Sequence, residues 1–179
     1  GNGTCNAVAD QMIITITDAP AVNPGPNQTV CANNPEVTLN GSISVATAAV
    51  WTTGSGTGTF TPNATTLNAT FTPSALQIAN GQANLTLTTT ANGNCAPVSA
   101  NMVITITPAP TINAGNDQTV CGNNRVVTLT GTSTIATAVL WTTSGSGTFL
   151  DNTDLTTTYT PSDADTLAGT VTLTLTSTA

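Results

Sequence analysis

Four cysteines and eight carboxylates are the side chains of this 179-residue sequence that could do chemistry. Arg125 is the only cation, and there is neither His nor Lys. Nucleophilic catalysis needs a base beside its nucleophile, so Ser–His, Cys–His and Ser–Lys arrangements are all excluded. Zinc needs about four thiolate or imidazole ligands within reach of one another, and no imidazole exists here. Nucleic-acid binding requires clusters of Lys or Arg to neutralise phosphates. Attraction to an anionic membrane surface requires the same. A net charge of −7 with one cation rules out both.

The chain is internally repeated. QMIITITDAPAV at 11–22 returns as NMVITITPAPTI at 101–112, NQTVC at 27–31 as DQTVC at 117–121, and VATAAVWTT at 45–53 as IATAVLWTT at 135–143, each offset by 90 residues. The offset falls to 88 for LTLTTTA at 85–91 and LTLTSTA at 173–179. Such a period is too long for a solenoid unit and suits a small separately folded domain. The copies disagree at most carboxylates: Asp10 aligns with Ala100, Glu36 with Val126, and Asp117 with Asn27. A catalytic pair shared by every repeat would keep its place, so glycoside hydrolysis by two carboxylates is not expected. Asp151, Asp154, Asp163 and Asp165 cluster in the last repeat, and calcium takes several oxygen ligands. The matching positions near 62–65 and 75–77 carry no acid. Solvated loop charges, with no metal and no cofactor, are the expected reading.

The elements that carry these residues alternate with period two. Val37, Leu39 and Gly41 alternate with Thr38 and Asn40, Leu85 and Leu87 with Thr86 and Thr88, and Met102, Ile104 and Ile106 with Val103 and Thr105. β-branched Val, Ile and Thr suit such strands. Hydrophobic residues make up 39% of the chain, enough for a core despite 5% charged residues. One repeat predicts about seven short strands: 28–31, 36–41, 48–53, 59–61, 69–72, 83–90 and 101–107. No convincing helical periodicity is present; Ser74–Gly81 makes one short turn at most. Many short antiparallel strands predict an all-β, two-sheet Ig-like sandwich. Trp51 and Trp141 occupy the strand where such a sandwich buries its central aromatic, and Phe71 and Tyr159 join them as expected core aromatics. The antibody-type tyrosine corner is missing.

Pro108–Pro110 and the matching Asp18–Pro20 mark the boundaries, because Pro fixes φ and holds the preceding residue extended. The division expected is residues 1–18 as the last hairpin of a preceding repeat, 19–108 as a complete domain, and 109–179 as a domain lacking its last strand. Stiff junctions predict a linear rod, and the cut third domain should expose a sheet edge. No apolar run reaches the roughly 18 residues of a membrane span, so no direct membrane insertion is expected. No signal peptide is recognisable, which fits an internal stretch of something longer.

The openings VNPGPNQTV at 22–30 and INAGNDQTV at 112–120, each followed by V-T-L-x-G, resemble PKD-like domains. The continuation through W-T-T, F-T-P-S or Y-T-P-S, L-T-L-T-x-T-A and N-G-N-C is similar to tandem repeats of large cell-surface proteins of gliding Bacteroidota. The resemblance implies a PKD/Ig-like sandwich, export to the cell surface by the type IX route, and a part in adhesion or gliding.

An exported protein favours disulfides. Cys5, Cys31, Cys95 and Cys121 fall two per period, one after the first strand and one in the last hairpin loop. In an Ig-like topology those sites lie at opposite poles, roughly 30 Å apart along a strand of about nine residues. Bridged Cα atoms lie within about 7 Å. The expectation is a bridge across each domain junction, with partners outside these 179 residues; the alternative is Cys31–Cys95. The T-x-T arrays have the spacing of an ice-binding face, but Thr is the ordinary outward residue of a half-buried strand. Trp51 and Trp141 as sugar platforms yield to core packing. Asn63 and Asn68 head sequons that matter in a eukaryote, Asp165–Thr166–Leu167 resembles the O-glycan acceptor of Bacteroidota, and the lack of Lys removes isopeptide cross-links.

These features point to a non-enzymatic, extracellular stalk: spacer repeats of a giant adhesin or surface filament. Its partners are neighbouring repeats of the same chain, with surface polysaccharide or solid surfaces engaged through other domains. The alternative is a glycan-binding accessory module of a secreted multidomain protein. A near-absence of trypsin sites, with Arg125 alone, suits an exposed fibre.

Overall fold

The computed structural model describes residues 3–178, and they divide between Thr107 and Pro108 into two compact units, unit 1 before the division and unit 2 after it. Gly1 and Asn2, the start of the expected leading hairpin, lie outside the described residues, as does Ala179.

Unit 1 runs β1 (Ala21–Asn23), β2 (Gln28–Cys31), β3 (Val37–Thr38), β4 (Ser42–Ser44), β5 (Ala48–Thr53), β6 (Thr59–Thr61), β7 (Thr70–Thr72), α1 (Ala75–Ala79), β8 (Gln82–Thr90) and β9 (Ser99–Thr107). One sheet has the order β2-β9-β8-β5 and the other β3-β7-β6, while β1 pairs with β4 outside both. Alternation decides which side chains enter the space between the sheets. On β8, Ala83, Leu85, Leu87 and even Thr89 face inward with none of their surface exposed. Thr89 survives there because its Oγ1 accepts the Val98 N–H at 3.0 Å. On β9, Met102, Ile104 and Ile106 point into the same core and are almost wholly buried. Each contributes about 1.5–3 kcal/mol by leaving water. The fold is the expected all-β sandwich.

Three local departures have physical causes. β2 pairs parallel to β9, with Gln28 opposite Ile104 and Cys31 opposite Thr107, whereas every other pairing is antiparallel. β2 thus joins the sheet of the last strand, while β1 pairs with β4. The expected strand over 36–41 is named only at Val37–Thr38, although its hydrogen bonds continue from Leu39 N to Ala69 O and from Gly41 N to Leu67 O. Gly41 lets the chain pass close to the core: a Cβ there would meet Trp51 and Leu87 at 2.9 Å. The short turn at Ser74–Gly81 is a capped helix, because Ser74 and Gln77 satisfy each other's backbone N–H groups in a capping box.

Unit 2 runs β10 (Thr111–Asn113), β11 (Val127–Thr130), β12 (Thr132–Thr134), β13 (Val139–Thr143), β14 (Thr148–Phe149), β15 (Thr156–Thr160), α2 (Asp163–Ala168) and β16 (Leu173–Ser177). Its pairings, β10 with β12, β11-β15-β14, and β13 with β16, repeat those of unit 1 strand for strand. The offset of 90 becomes 88 because two loops are each one residue shorter, between Thr53 and Thr59 and between Phe60 and Ala64. The strands therefore keep their places; Trp51 N donates to Ala64 O and Trp141 N to Asn152 O. Among the described residues no strand follows β16, so nothing matches β9. Residues 114–120, the copy of the β2 region, accordingly carry no strand.

Residues 6–20 also have no regular secondary structure. Met12, Ile14 and Ile16 are 81%, 72% and 89% exposed, though their copies Met102, Ile104 and Ile106 are core residues. Among the described residues no helix is long and apolar enough to cross a membrane.

Candidate functional site

Asp165 is the carboxylate that the fold treats differently from the rest. It is 7% exposed, while Asp163 stands almost fully in solvent. Its Oδ1 accepts the Ser146 N–H at 2.9 Å, and its Oδ2 accepts the Gly147 N–H at 2.9 Å, the Ser162 N–H at 3.0 Å and the Tyr159 hydroxyl at 2.8 Å. The Ser146 and Ser162 N–H groups hold its carboxyl well below the usual carboxylate range, against the opposing pull of burial. Burial, with the neighbouring carboxylate, pushes the Tyr159 phenol up. Asp165 is therefore a clamp tying the loop after β13 to the start of α2, and the reading of all four clustered aspartates as solvated loop charges fails for it.

The same position in unit 1 is Gln77, fully buried, with Phe71 where unit 2 has Tyr159. Gln77 Oε1 accepts from Ser74 N at 2.9 Å, and its Nε2 donates to Ser55 O at 2.7 Å. An amide carries donor and acceptor, whereas a carboxylate only accepts. The shorter loop of unit 2 turns two N–H groups inward where the longer loop of unit 1 offers a carbonyl, and the side chain follows. The pattern was readable in the sequence as Ser-x-x-Gln and Ser-x-x-Asp, the spacing of a capping box, but its tie to the distant loop was not.

The other acids stay at the surface. Asp163 pairs with Arg125 at 2.6 Å, and the guanidinium also reaches Thr166 Oγ1 at 3.2 Å. Asp151 accepts from the side chain and backbone of Thr153, which lowers its pKa. Asp154 offers only its carbonyl, to Trp141 Nε1 at 3.0 Å. Among the described residues no group of acids and cysteines is arranged to hold a metal ion.

The expected core aromatics lie in two matching clusters. Trp51 and Trp141 are each 1% exposed, and Phe71 and Tyr159 are fully buried. Phe60 and Phe149 complete the sets, 6.5 Å from the Trp rings and 4.9 Å from Phe71 and Tyr159. Neither Trp presents a face to a sugar. Outward threonines bond across the sheet, Thr86 to Asn101 at 2.7 Å and Thr88 to Ser99 at 2.8 Å.

No disulfide forms among the described residues. Cys31 sits beside Thr107 at the end of β9, and Cys95 precedes its first residue, Ser99. A nine-residue strand keeps those poles roughly 26 Å apart, far beyond disulfide reach. The Cys95 thiol lies 3.5 Å from Asp18 O and from Thr17 Oγ1, and Cys5 and Cys121 are exposed.

One concave feature stands out in unit 2. A groove of ≈ 680 Å³ is floored by Leu129, Trp141 and Tyr159 and walled by 117–120 on one side and 170–173 on the other. In unit 1 the matching space holds β9.

No protein-family model matches the chain, and no curated protein matches it significantly. Among solved structures it is similar to the PKD domain of human KIAA0319, at 16% identity and a TM-score of 0.37, covering 63% of this chain and 100% of that one. It is similar to the EC1-4 region of Drosophila N-cadherin, at 17% identity and TM-score 0.37 over 83% of this chain and 42% of that one. Mouse cadherin-23 EC22-24 is similar at 13% identity and TM-score 0.38, over 82% and 55%. The chain thus spans about half the length of the cadherin chains it matches.

Proposed function

We propose that this chain is a piece of a structural stalk: spacer repeats of a giant extracellular adhesin or surface filament, supporting attachment or gliding. The observation that carries the reading is what the two units share. They repeat a core, a Trp at its centre and a capped loop, and no pair of reactive side chains occupies the same place in both. Burial of Trp51 and Trp141 supports the stalk over a glycan-binding module, which needs exposed aromatic platforms. With neither His nor Lys, and with carboxylates that change place between the repeats, a non-enzymatic role is the reading we propose. Residues 19–108 form the complete repeat in this reading, with the copy beginning at 109, and cysteines at the poles join consecutive domains by disulfides. Near-absence of Lys and Arg suits long exposure to proteases.

Imaging of the native full-length protein on cells tests this. A thin filament whose length grows with repeat number is expected, and a compact particle overturns the reading. A glycan array with the same protein separates the rival: binding that depends on these two units would favour the accessory-module function.

A further inference from the structure

We propose that the N-Q-T-V segment at 27–30 is a mechanical latch, which makes the short parallel ladder between β2 and β9 the element that holds unit 1 shut under tension. The load path follows from chain order. The chain enters unit 1 at Pro20, runs through β1 and β2, and leaves at Pro108 after β9. β2 and β9 lie side by side and parallel. A pull at Pro20 therefore draws β2 backwards along its axis, while a pull at Pro108 draws β9 forwards. Sliding by about 3 Å, one residue's rise, takes every bond of the ladder past hydrogen-bonding distance at once. The bonds resist together. Had β2 run antiparallel to β9, the two pulled ends would lie at one pole and the ladder would open bond by bond.

The neighbouring ladders leave this one limiting. β1 meets β4 over three residue pairs, β2 meets β9 over four, and β8 meets β9 over seven. β1 slips first and frees 21–27, β2 then carries the load, and β9 stays seated on β8.

Side chains of the motif brace the ladder at its start. Asn27 Oδ1 accepts the Val103 N–H of β9 at 2.8 Å, just before the first pair, Gln28 with Ile104. Gln28 Nε2 donates to Thr38 O at 3.0 Å and so ties β2 to β3 in the opposite sheet. The same brace recurs in unit 2, from Gln118 Nε2 to Thr128 O at 2.9 Å. At the far end Thr107 Oγ1 donates to Val30 O at 3.1 Å, and the Ala32 N–H donates to Thr107 O at 2.9 Å. The latch rests on the stalk reading for the source of its load; its geometry belongs to unit 1 alone.

Optical-trap stretching of the 179-residue chain held at its two ends tests it, with urea denaturation of the same variants. Unit 1 is told from unit 2 by its longer freed chain. Its rupture should follow a lengthening of at most about 25 Å as 21–27 come free. Asn27→Ala and Thr107→Val change exposed residues. Each should lower the rupture force of unit 1, and together they should roughly halve it. Asn63→Ala removes the acceptor that Thr65 and Thr66 share in the loop after β6, away from the load path. It should lower the urea midpoint of unit 1 and leave its rupture force unchanged, because forced unfolding follows the unfolding barrier and not the equilibrium. A rupture force that ignores Asn27→Ala and Thr107→Val overturns the latch, as does one that merely tracks the urea midpoint across all variants. A compact particle on cells would overturn the stalk while leaving these forces unchanged, so the two failures are told apart.

Discussion

Units 1 and 2 are two readings of one pattern, with and without a last strand. In unit 1 eleven buried side chains form the core, three of them from β9. In unit 2 the buried core is Leu129, Val139, Trp141, Tyr159 and Leu175. Val127 and Leu173, whose copies are core residues, are only half-buried. The aromatic centre is nearly unchanged, so the Trp cluster depends on the strands around it and not on the last strand. What β9 adds is the apolar wall and the ladder that orders β2. Residues 11–17 make the same point from the other side: nearly the same heptapeptide is core where two strands flank it and exposed where none does.

The most severe test of this comparison removes its common centre. Trp51→Ala and Trp141→Ala should each cost about 3–5 kcal/mol. Unit 1 has the larger core to absorb the loss, so Trp141→Ala should abolish the unfolding transition of unit 2, while Trp51→Ala leaves a weakened transition in unit 1. Unit-resolved amide exchange distinguishes them, and equal retention of both units would show that core size is not the deciding difference.

Swapping the clamps is the next largest effect. Gln77→Asp takes away the donor that Ser55 O needs and places a carboxylate oxygen against it. A loss of roughly 1–3 kcal/mol in unit 1 is expected, read by urea denaturation; an unchanged midpoint would mean that the loop adapts to either side chain.

Acid should then separate the units without any mutation. The Asp165 carboxyl is held below its usual range by the Ser146 and Ser162 N–H groups, so its contribution is present above the ordinary Asp value of about 3.9. It is lost as pH falls from there toward the folded-state value. Gln77 does not titrate. Between pH 5 and pH 2 the midpoint of unit 2 should fall further than that of unit 1, and Asp165→Asn should remove the difference while lowering stability at neutral pH. Parallel acid profiles for the two units would exclude the clamp as a source of pH dependence.

Smallest is Arg125→Ala. Its partner Asp163 is 96% exposed, and such surface pairs contribute about 0–1 kcal/mol. A shift of unit 2 beyond that range would assign the pair a larger role than solvent screening permits.

Much of the fold was legible because strand alternation is a local property. Val37, Leu39, Leu85, Leu87, Met102, Ile104 and Ile106 all announce their inward faces by period two, and the structure buries every one. The β1–β4 pairing was not legible, since each partner is three residues long and too short to show a period. α2 was missed for a similar reason: six residues make under two turns, and its Asp163 and Asp165 resemble loop charges. Of the candidate site residues, the cysteines were seen and their polar placement argued from topology. The clamp role of Asp165 and Gln77 was not, because it depends on a loop eighteen or more residues away.

By itself the sequence determined the repeat, the all-β class, the Trp-centred core and the lack of any His or Lys, because composition and period require no knowledge of distant contacts. Only the tertiary structure decided that one aspartate among four is buried and that β2 pairs parallel with β9. It also decided that Met12, Ile14 and Ile16 lie exposed while their copies Met102, Ile104 and Ile106 are buried. Each of these depends on which backbone groups meet across the fold, and a hydrogen bond between residues far apart in the chain leaves no mark on local pattern.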